Sequence, residues 1–207
     1  MKYAGITFFL LICLLSSSFG KDILFKKITS NQGLSHNTVY AIVQDEKGLM
    51  WFGTREGLNR YDSHDIKSYY IASAKIGGST NKISSLCSYK SLLYVGTDNG
   101  LYIYNSQTDK LEKSKVLSYQ GSILFLLQQN GQLYVGTSDG VYKLSDNKSK
   151  LINDRKSYDK AMCAISEDRF LLAIGNSLRI IDGAGRVKQT FNETTLSELA
   201  NINDIFD

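Results

Sequence analysis

The sequence of 207 residues contains no proline and has only two histidines, three cysteines and one tryptophan. The absence of proline is a compositional bias, but the shortage of histidine and cysteine leaves few groups for a metal site or a nucleophile. A strong charge of one sign is also missing. The net charge of +4 is well short of the basic excess that dedicated nucleic-acid-binding proteins show, so we expect no nucleic acid as a partner. The hydrophobic fraction of 43% indicates a globular core.

Neither histidine lies in a pattern that indicates chemistry. His36 belongs to a Gly-Leu-Ser-His-Asn segment and His64 to a polar turn, and neither has a partner at metal-ligand spacing. The glycine-rich stretch 77–82 lacks the residue order of a phosphate-binding loop, and the Asp-Asn-Gly and Ser-Asp-Gly turns lack the further ligands of a calcium loop. We therefore expect no catalytic residue, no metal ligand and no cofactor, and the sequence leaves the ligand-binding residues unknown.

The N-terminus has the pattern of a secretory signal. Lys2 precedes an apolar run over residues 6–15, and small residues follow up to Gly20, which predicts a signal peptide at 1–20 and cleavage before Lys21. The run is shorter than the roughly 20 residues of a comfortable membrane span, although an uncleaved anchor is the alternative. We therefore expect residues 21–207 to be exported to the periplasm.

A glycine recurs along the chain at a nearly constant interval. Gly53, Gly96, Gly136 and Gly175 follow one another in steps of 43, 40 and 39 residues. The segments around them are rich in β-branched and aromatic residues and are cut by Gly, Asp and Asn turns. A period near 40 with strand-type patterning predicts one propeller blade per repeat. The expected fold class is all-β, a β-propeller of four-stranded blades.

Each repeat divides into four short strands, of which the first is apolar and the fourth is polar, as an outer edge strand should be. The predicted blades cover about 37–70, 83–116, 122–153 and 161–191. Their first strands, expected to line a central axis, are predicted at 39–44, 83–88, 123–128 and 161–166.

The second strand and the turn after it carry the repeat motif. A glycine within a strand costs stability and is explained by a close neighbour, while the glycine ending the turn takes positive φ at low cost. The motif residues are Trp51, Gly53, Thr54, Gly57, Gly96, Thr97, Gly100, Gly136, Thr137 and Gly140. We interpret the rings of Trp51, Tyr94 and Tyr134 as packing between blades, with stacking on a sugar as the alternative.

The fourth repeat departs from this motif. Aligned on Gly175 as a glycine within the second strand, it has Ala173 in place of the ring and is two residues shorter at the turn. We expect a hairpin with Asn176 and Ser177 as its two turn residues.

Both ends of the chain indicate an incomplete ring. Residues 202–207 resemble the first strand of a further blade, and residues 23–28 resemble a fourth strand without a blade of its own. We expect the chain to be the N-terminal piece of a longer propeller and, taken alone, to associate through its exposed apolar face.

The opening of the first repeat resembles the two-component regulator propeller family. The shared pattern is Gly-Leu-Ser at 33–35, Asn-x-Val at 37–39, Asp-x-x-Gly at 45–48, Met-Trp-Phe-Gly-Thr at 50–54 and Gly-Leu-x-Arg-Tyr at 57–61. The match is specific there and weakens through the later repeats.

This resemblance implies a function for a longer parent protein. In the family such propellers are the periplasmic sensor half of hybrid two-component systems, and many detect oligosaccharides. The resemblance thus implies a small-molecule or oligosaccharide ligand, a membrane-anchored parent acting as a homodimer, and, as partners, further blades and a histidine kinase outside this chain. The alternatives are a propeller enzyme acting on carbohydrate, such as a glycosidase or lyase, and a truncated product without function.

Two cysteines remain beyond the predicted signal, and we expect them to be unbridged. Cys87 and Cys163 are predicted on the first strands of the second and fourth blades, with a whole blade between them. Strands two blades apart exceed the roughly 7 Å Cα separation that a disulfide allows. The alignment also places the two cysteines two residues apart in register, each as a small apolar filler.

Overall fold

The computed structural model describes residues 25–71, 81–145, 148–153 and 160–191. Sixteen strands in these ranges form four antiparallel sheets of four strands, each in sequence order from β1-β2-β3-β4 to β13-β14-β15-β16. The all-β propeller architecture expected from the repeats is confirmed, and the arc of sheets is open rather than closed. Among the described residues, no helix is long and apolar enough to cross a membrane.

The strand bounds follow the period of about 40 residues. The first sheet has β1 (Val39–Gln44), β2 (Met50–Thr54), β3 (Gly57–Tyr61) and β4 (Ile66–Tyr69). The second has β5 (Ile83–Tyr89), β6 (Leu92–Thr97), β7 (Gly100–Asn105) and β8 (Lys110–Lys113). The third has β9 (Ile123–Gln129), β10 (Gln132–Thr137), β11 (Val141–Ser145) and β12 (Lys148–Asn153). The fourth has β13 (Lys160–Ser166), β14 (Arg169–Ile174), β15 (Ser177–Asp182) and β16 (Val187–Phe191).

The sheets stack as blades, with their first strands side by side. Strand β5 lies between β1 and β9, and β9 also contacts β13. Three apolar clusters fill the seams between consecutive blades, centred on Trp51 between blades 1 and 2, Leu133 between blades 2 and 3 and Phe170 between blades 3 and 4. The fourth strands are the polar ones, and most residues of β8, β12 and β16 are exposed.

The two end blades expose apolar side chains. Ile42 of β1 is 60% exposed and Ile165 of β13 is 51% exposed. The residues equivalent to Ile42 in the strands within the stack, Leu86 of β5 and Leu126 of β9, are half-buried against a seam, so the end faces are where a further blade would pack.

The fourth blade corrects two predictions. Gly175 does not lie within a strand but starts a two-residue turn with φ +52°, and Ile174 pairs with Ser177 across it. The turn residues are therefore Gly175 and Asn176, not Asn176 and Ser177. Ala173 takes the place of the glycine within the strand, because it pairs with Ala161 as Gly53 pairs with Ala41.

This realignment also corrects the predicted register of the cysteines. Cys87 pairs with Tyr94 and Cys163 with Leu171, so both lie at the same level of their first strands. Both thiols are free. Cys87 is buried, which raises its thiol pKa to about 11, whereas Cys163 is exposed on the open face of blade 4 rather than filling a core.

Several predicted features fall wholly or partly outside the described residues. The signal peptide at 1–20, the mature start at Lys21 and the further first strand at 202–207 are among them. Of the segment 23–28, the part from Phe25 onward is described and forms no strand. A turn of 3-10 helix, Ser30–Gln32, follows it and leads into the first blade.

Candidate functional site

The threonines of the repeat motif close the hairpins between second and third strands. Thr54, Thr97 and Thr137 are fully buried, and each hydroxyl donates to the carbonyl of the glycine three residues later, at 3.0, 2.8 and 3.0 Å. Because the strands are antiparallel, one end of the blades holds these hairpins, the connections between sheets and the starts of the first strands. We call this end the turn face.

The glycines that end these hairpins lie under backbone carbonyls. Gly57 and Gly100 have positive φ, of +145° and +103°, as expected, whereas Gly140 does not. A Cβ on Gly140 would instead come within 2.3 Å of the carbonyl oxygen of Asn153. The third glycine is therefore required by a close approach to β12.

The glycines within the second strands accommodate the next blade. A Cβ on Gly53 would lie 2.6 Å from Cγ2 of Ile83, and a Cβ on Gly96 would lie 2.8 Å from Cγ2 of Ile123. Both isoleucines are the first residues of the following blade and are fully buried. The mid-strand glycine thus sets how closely consecutive blades approach.

The seam between blades 3 and 4 is built differently. The ring of Phe125 covers Gly136, with an atom 2.1 Å from where a Cβ would be, and Lys160 stands where the other seams have isoleucine. The buried Lys160 ammonium donates to the carbonyl oxygens of Thr137 and Ser138 at 2.7 and 2.8 Å. Burial lowers the pKa of Lys160 to about 8.

The motif rings pack between blades and are not available to a ligand. Trp51 is fully buried, its ring centroid lies 4.6 Å from that of Tyr104 in blade 2, and its indole N–H donates to Asp45 at 2.8 Å. Tyr134 lies 4.8 Å from Phe170 of blade 4 in the same way. Tyr94 is 9% exposed and belongs to the cluster between blades 2 and 3.

A polar cluster fastens blade 1 to blade 2 at the opposite end. The Asp109 carboxylate accepts hydrogen bonds from Lys67 and Tyr69 of blade 1 and from Tyr104 of its own blade. The bond from Lys67, then those from the two tyrosines, hold the pKa of Asp109 well below its usual range. Burial and the bond to Asp109 raise the pKa of Tyr69. Each of these groups has a partner, so we interpret the cluster as a structural contact that holds blade 1 against blade 2.

The Gly-Leu-Ser segment is a structural element as well. Leu34 is buried, the Ser35 hydroxyl lies 2.7 Å from that of Thr54, and the Ser35 N–H donates to Asn59 at 2.8 Å. His36, half-buried in this loop, accepts a hydrogen bond at Nδ1 from the Thr38 N–H. In the described part of the chain no group of three or more His, Cys, Asp and Glu could hold a metal ion.

A groove of about 550 Å³ opens on the turn face where blades 1 and 2 meet. Its volume falls in the range of about 300–1,000 Å³ that is usual for small-molecule sites. We call it the turn-face groove, and it is lined by Tyr40, Arg55, Glu56, Tyr70, Asn81 and Lys82.

The rings of this groove differ from the rings of the seams. Tyr40 and Tyr70 are 47% and 57% exposed, and neither hydroxyl has a hydrogen-bond partner among the described residues. The side chains of Arg55 and Glu56, at the tip of the β2–β3 hairpin, are likewise exposed and without a partner in the described ranges. The groove therefore brings together two half-exposed rings whose hydroxyls have no partner in the described ranges and two charged side chains that are likewise unpaired there.

Lys82 crosses the groove from blade 2 to blade 1. Its ammonium lies 5.2 Å from the centroid of the Tyr40 ring and 3.8 Å from a carboxylate oxygen of Asp98. Asn81, beside it, accepts a hydrogen bond from the Ile71 N–H at 2.7 Å and thereby ties the end of blade 1 to the start of blade 2. The groove thus spans a seam.

The groove was not predicted from the sequence, because none of its residues belongs to the repeat motif. Tyr40 lies within an apolar strand, Tyr70 follows the last strand of blade 1, and Lys82 precedes blade 2. A usable signal is the failure of the repeat: Tyr40 aligns with Ser84 of blade 2 and with Leu124 of blade 3, and neither is aromatic.

The model of the two component regulator propeller family matches residues 33–56. That range covers the Gly-Leu-Ser segment, β1, β2 and the hairpin closed by Thr54, which are the features described above. This one segment of the chain is similar to a two-component regulator propeller repeat. The resemblance read from the sequence is confirmed.

Proteins similar to this chain are much longer, and the chain spans only a small part of each. Histidine kinase P4 of Formosa agariphila is 38% identical over 72 residues, which are 33% of this chain and 5% of that protein. The extracellular domain of a hybrid two component system of B. thetaiotaomicron is 20% identical with a TM-score of 0.66, over 81% of this chain and 26% of that one. The extracellular domain of a one component system of the same organism is also 20% identical, with a TM-score of 0.60, over 75% and 21%. At these identities the solved structures show the shared propeller fold.

Proposed function

We propose that this chain is part of the ligand-sensing propeller of an exported hybrid two-component regulator, that its ligand is an oligosaccharide, and that it signals to a histidine kinase outside this chain. The observation that carries the proposal is the segment similar to a regulator propeller repeat at 33–56, in a propeller whose turn face has an open groove lined by exposed tyrosines and charged side chains. A surface that concentrates such groups in a concavity is where a small polar ligand binds.

The comparisons support the signalling part of the proposal. One relative is named a histidine kinase, and two similar structures are extracellular domains of regulatory systems. Residues 1–20, with their apolar run and small-residue exit, support export to the periplasm. We propose that the parent is anchored in the inner membrane and acts as a homodimer.

The open end faces support a larger ring. Ile42 on blade 1 and Ile165 on blade 4 are more than half exposed, and burying them would remove apolar surface from water. We propose that further blades of the same parent cover these faces, so that the four blades here are one arc of a closed propeller.

The groove does not favour an enzyme that cleaves carbohydrate. Hydrolysis of a glycosidic bond uses two carboxyl groups held across the sugar, about 5–9.5 Å apart. Of the six lining residues, Glu56 is the one with a carboxylate, and the nearby Asp98 carboxylate is paired with Lys82. We propose that the chain binds its ligand without converting it.

Incubation of the chain with oligosaccharides tests the proposal. The full chain is captured at low density on a biosensor, so that it cannot associate with itself, and is exposed to gluco-, xylo-, manno- and galacto-oligosaccharides. We expect saturable binding of one class and, by mass spectrometry of the supernatant, no product. Release of shorter sugars would show an enzyme, and failure of every class to bind would contradict the sensor.

A further inference from the structure

The turn-face groove carries a more specific assignment, which rests on the proposed function and deepens it. We propose that this groove is the ligand subsite of blades 1 and 2, that it takes a neutral oligosaccharide, and that the rings of Tyr40 and Tyr70 are its stacking surfaces. The two rings lie on either side of the blade 1 hairpin that carries Arg55 and Glu56.

The assignment of stacking surfaces follows from exposure. A pyranose presents an apolar face of C–H groups ringed by hydroxyls, so it needs a flat apolar surface with polar groups at its edge. A half-exposed tyrosine supplies both, a ring face and a phenolic hydroxyl. Tyr40 and Tyr70 are about half exposed with free hydroxyls, in contrast to the motif ring Trp51, which is fully buried.

The neutral charge of the ligand follows from the charges around the groove. Arg55 and Glu56 stand side by side on one hairpin, and Lys82 is paired with Asp98 at 3.8 Å. Two positive and two negative groups leave no net charge on the described part of this surface. An anionic sugar such as a uronate would meet Glu56 and Asp98 without a surplus of cations, whereas hydroxyl groups can donate to the carboxylates and accept from Arg55.

Because the groove spans the seam between blades 1 and 2, a ligand bound there would contact both blades. Lys82 of blade 2 already lies over the ring of Tyr40 in blade 1, at 5.2 Å. A sugar stacked on Tyr40 and bonded to Lys82 therefore contacts both blades at once. Because a ligand that bridges two elements stabilises the arrangement it binds, occupancy would tighten the seam between blades 1 and 2.

Substitution of the rings tests the assignment on the full chain. Tyr40→Ala and Tyr70→Ala are measured on the biosensor against neutral gluco-, xylo- and manno-oligosaccharides, with oligogalacturonate as the anionic probe. Phe25→Ala is the matched control, because Phe25 is 90% exposed and lies outside the groove. We expect each tyrosine variant to lose at least tenfold in affinity for the neutral probe, the control to keep wild-type affinity, and oligogalacturonate to bind at least tenfold more weakly than the neutral probe.

A second measurement locates the bound ligand on the wild-type chain. Hydroxyl-radical footprinting with the bound neutral oligosaccharide should protect Tyr40 and Tyr70 and leave Phe25 as reactive as in the free chain. If the wild type binds but neither affinity nor protection changes at the two tyrosines, the sensor function stands and the groove assignment is wrong. Tighter binding of oligogalacturonate would overturn the neutral ligand, and binding of no probe would overturn the function and the groove together.

Discussion

At the scale of single residues, the tryptophan of the repeat motif does two things at once. Trp51 fills the seam to blade 2 against Tyr104, and its indole N–H satisfies a carboxylate oxygen of Asp45. The other carboxylate oxygen of Asp45 accepts from the N–H groups of Lys47 and Leu49 and so shapes the turn between β1 and β2. One aspartate thus couples the turn to the core.

Replacing Trp51 should lower the stability of the folded chain. Trp51→Ala leaves a cavity between two blades, and we expect a loss of about 3–5 kcal/mol in the free energy of unfolding. Trp51→Phe keeps most of the ring but leaves the Asp45 oxygen without its donor, which should cost about 1–3 kcal/mol. Urea denaturation of the full chain measures both, and Phe25→Ala should stay within about 0.5 kcal/mol of the wild type. Equal stability of all three variants would contradict this account.

Lys160 should make the stability of the chain increase with pH in the alkaline range. Its pKa is lowered from 10.5 to about 8 by burial, so the folded chain releases this proton at lower pH than the unfolded chain. Between pH 8 and 10.5 the unfolded state then binds more protons, and stability rises with pH. Asp139, the charged neighbour, acts in the opposite direction and raises the pKa.

The comparison variant for this effect is Lys160→Met. The difference in unfolding free energy between wild type and variant, measured by urea denaturation at pH 7.5, 8.5 and 9.5, should shift in favour of the wild type as the pH increases. Because both chains share every other titrating group, the difference isolates the one ammonium. A constant difference across these three pH values would show that Lys160 titrates as it does in the unfolded chain.

At the scale of elements, the fit between one blade and the next depends on a glycine and an isoleucine. Gly53→Ala would place a Cβ 2.6 Å from Cγ2 of Ile83, which forces the two blades apart. We expect a loss of about 1–3 kcal/mol, typical of overpacking. Ile83→Ala removes the opposing atom, so the double variant should lose less than the sum of the two single variants.

A double-mutant cycle by urea denaturation measures this coupling. Gly131→Asn is the control, because a Cβ there meets nothing within 4 Å and asparagine tolerates the φ of +65°. Additive losses at Gly53 and Ile83 would mean that the two positions do not oppose each other.

The strands and turns of the blades are predictable from the sequence where they repeat. The glycine period and the polar turns indicated sixteen strands, and their observed bounds lie close to the expected ones, with Val39–Gln44 identical. The fourth blade was misaligned because Gly175 was taken for the glycine within the strand, whereas Ala173 has that role. The groove was not predicted: Tyr40 departs from the repeat, but Tyr70 and Lys82 come from connections that only the packed blades bring close to it.

At the scale of the whole molecule, the open arc leaves two apolar faces on the described chain. We expect the isolated chain to associate with itself as concentration rises, since exposed sheet faces and edges template pairing. Ile42→Lys and Ile165→Lys place a charge on one face each, and either should shift the association to higher concentration.

Sedimentation velocity over a range of concentrations measures the association. Leu151→Lys is the control, because Leu151 is similarly exposed, at 43%, but lies on the outer strand β12 rather than on an end face. A wild-type chain that sediments as a monomer throughout would show that the end faces are covered by other means.

In the first two seams, each of the two blades supplies one partner of the glycine–isoleucine contact. This arrangement determines which duplications within the gene would keep the contact. The glycine lies on one blade and the isoleucine that fits it on the next, so a tandem duplication of the coding segment for blade 2 would join two halves that already match. The seam with Phe125, Gly136 and Lys160 has no equivalent elsewhere in the described arc. Unequal crossing-over is therefore tolerated best within the first three repeats, and the boundary before blade 4 should be the one that recombination leaves in place.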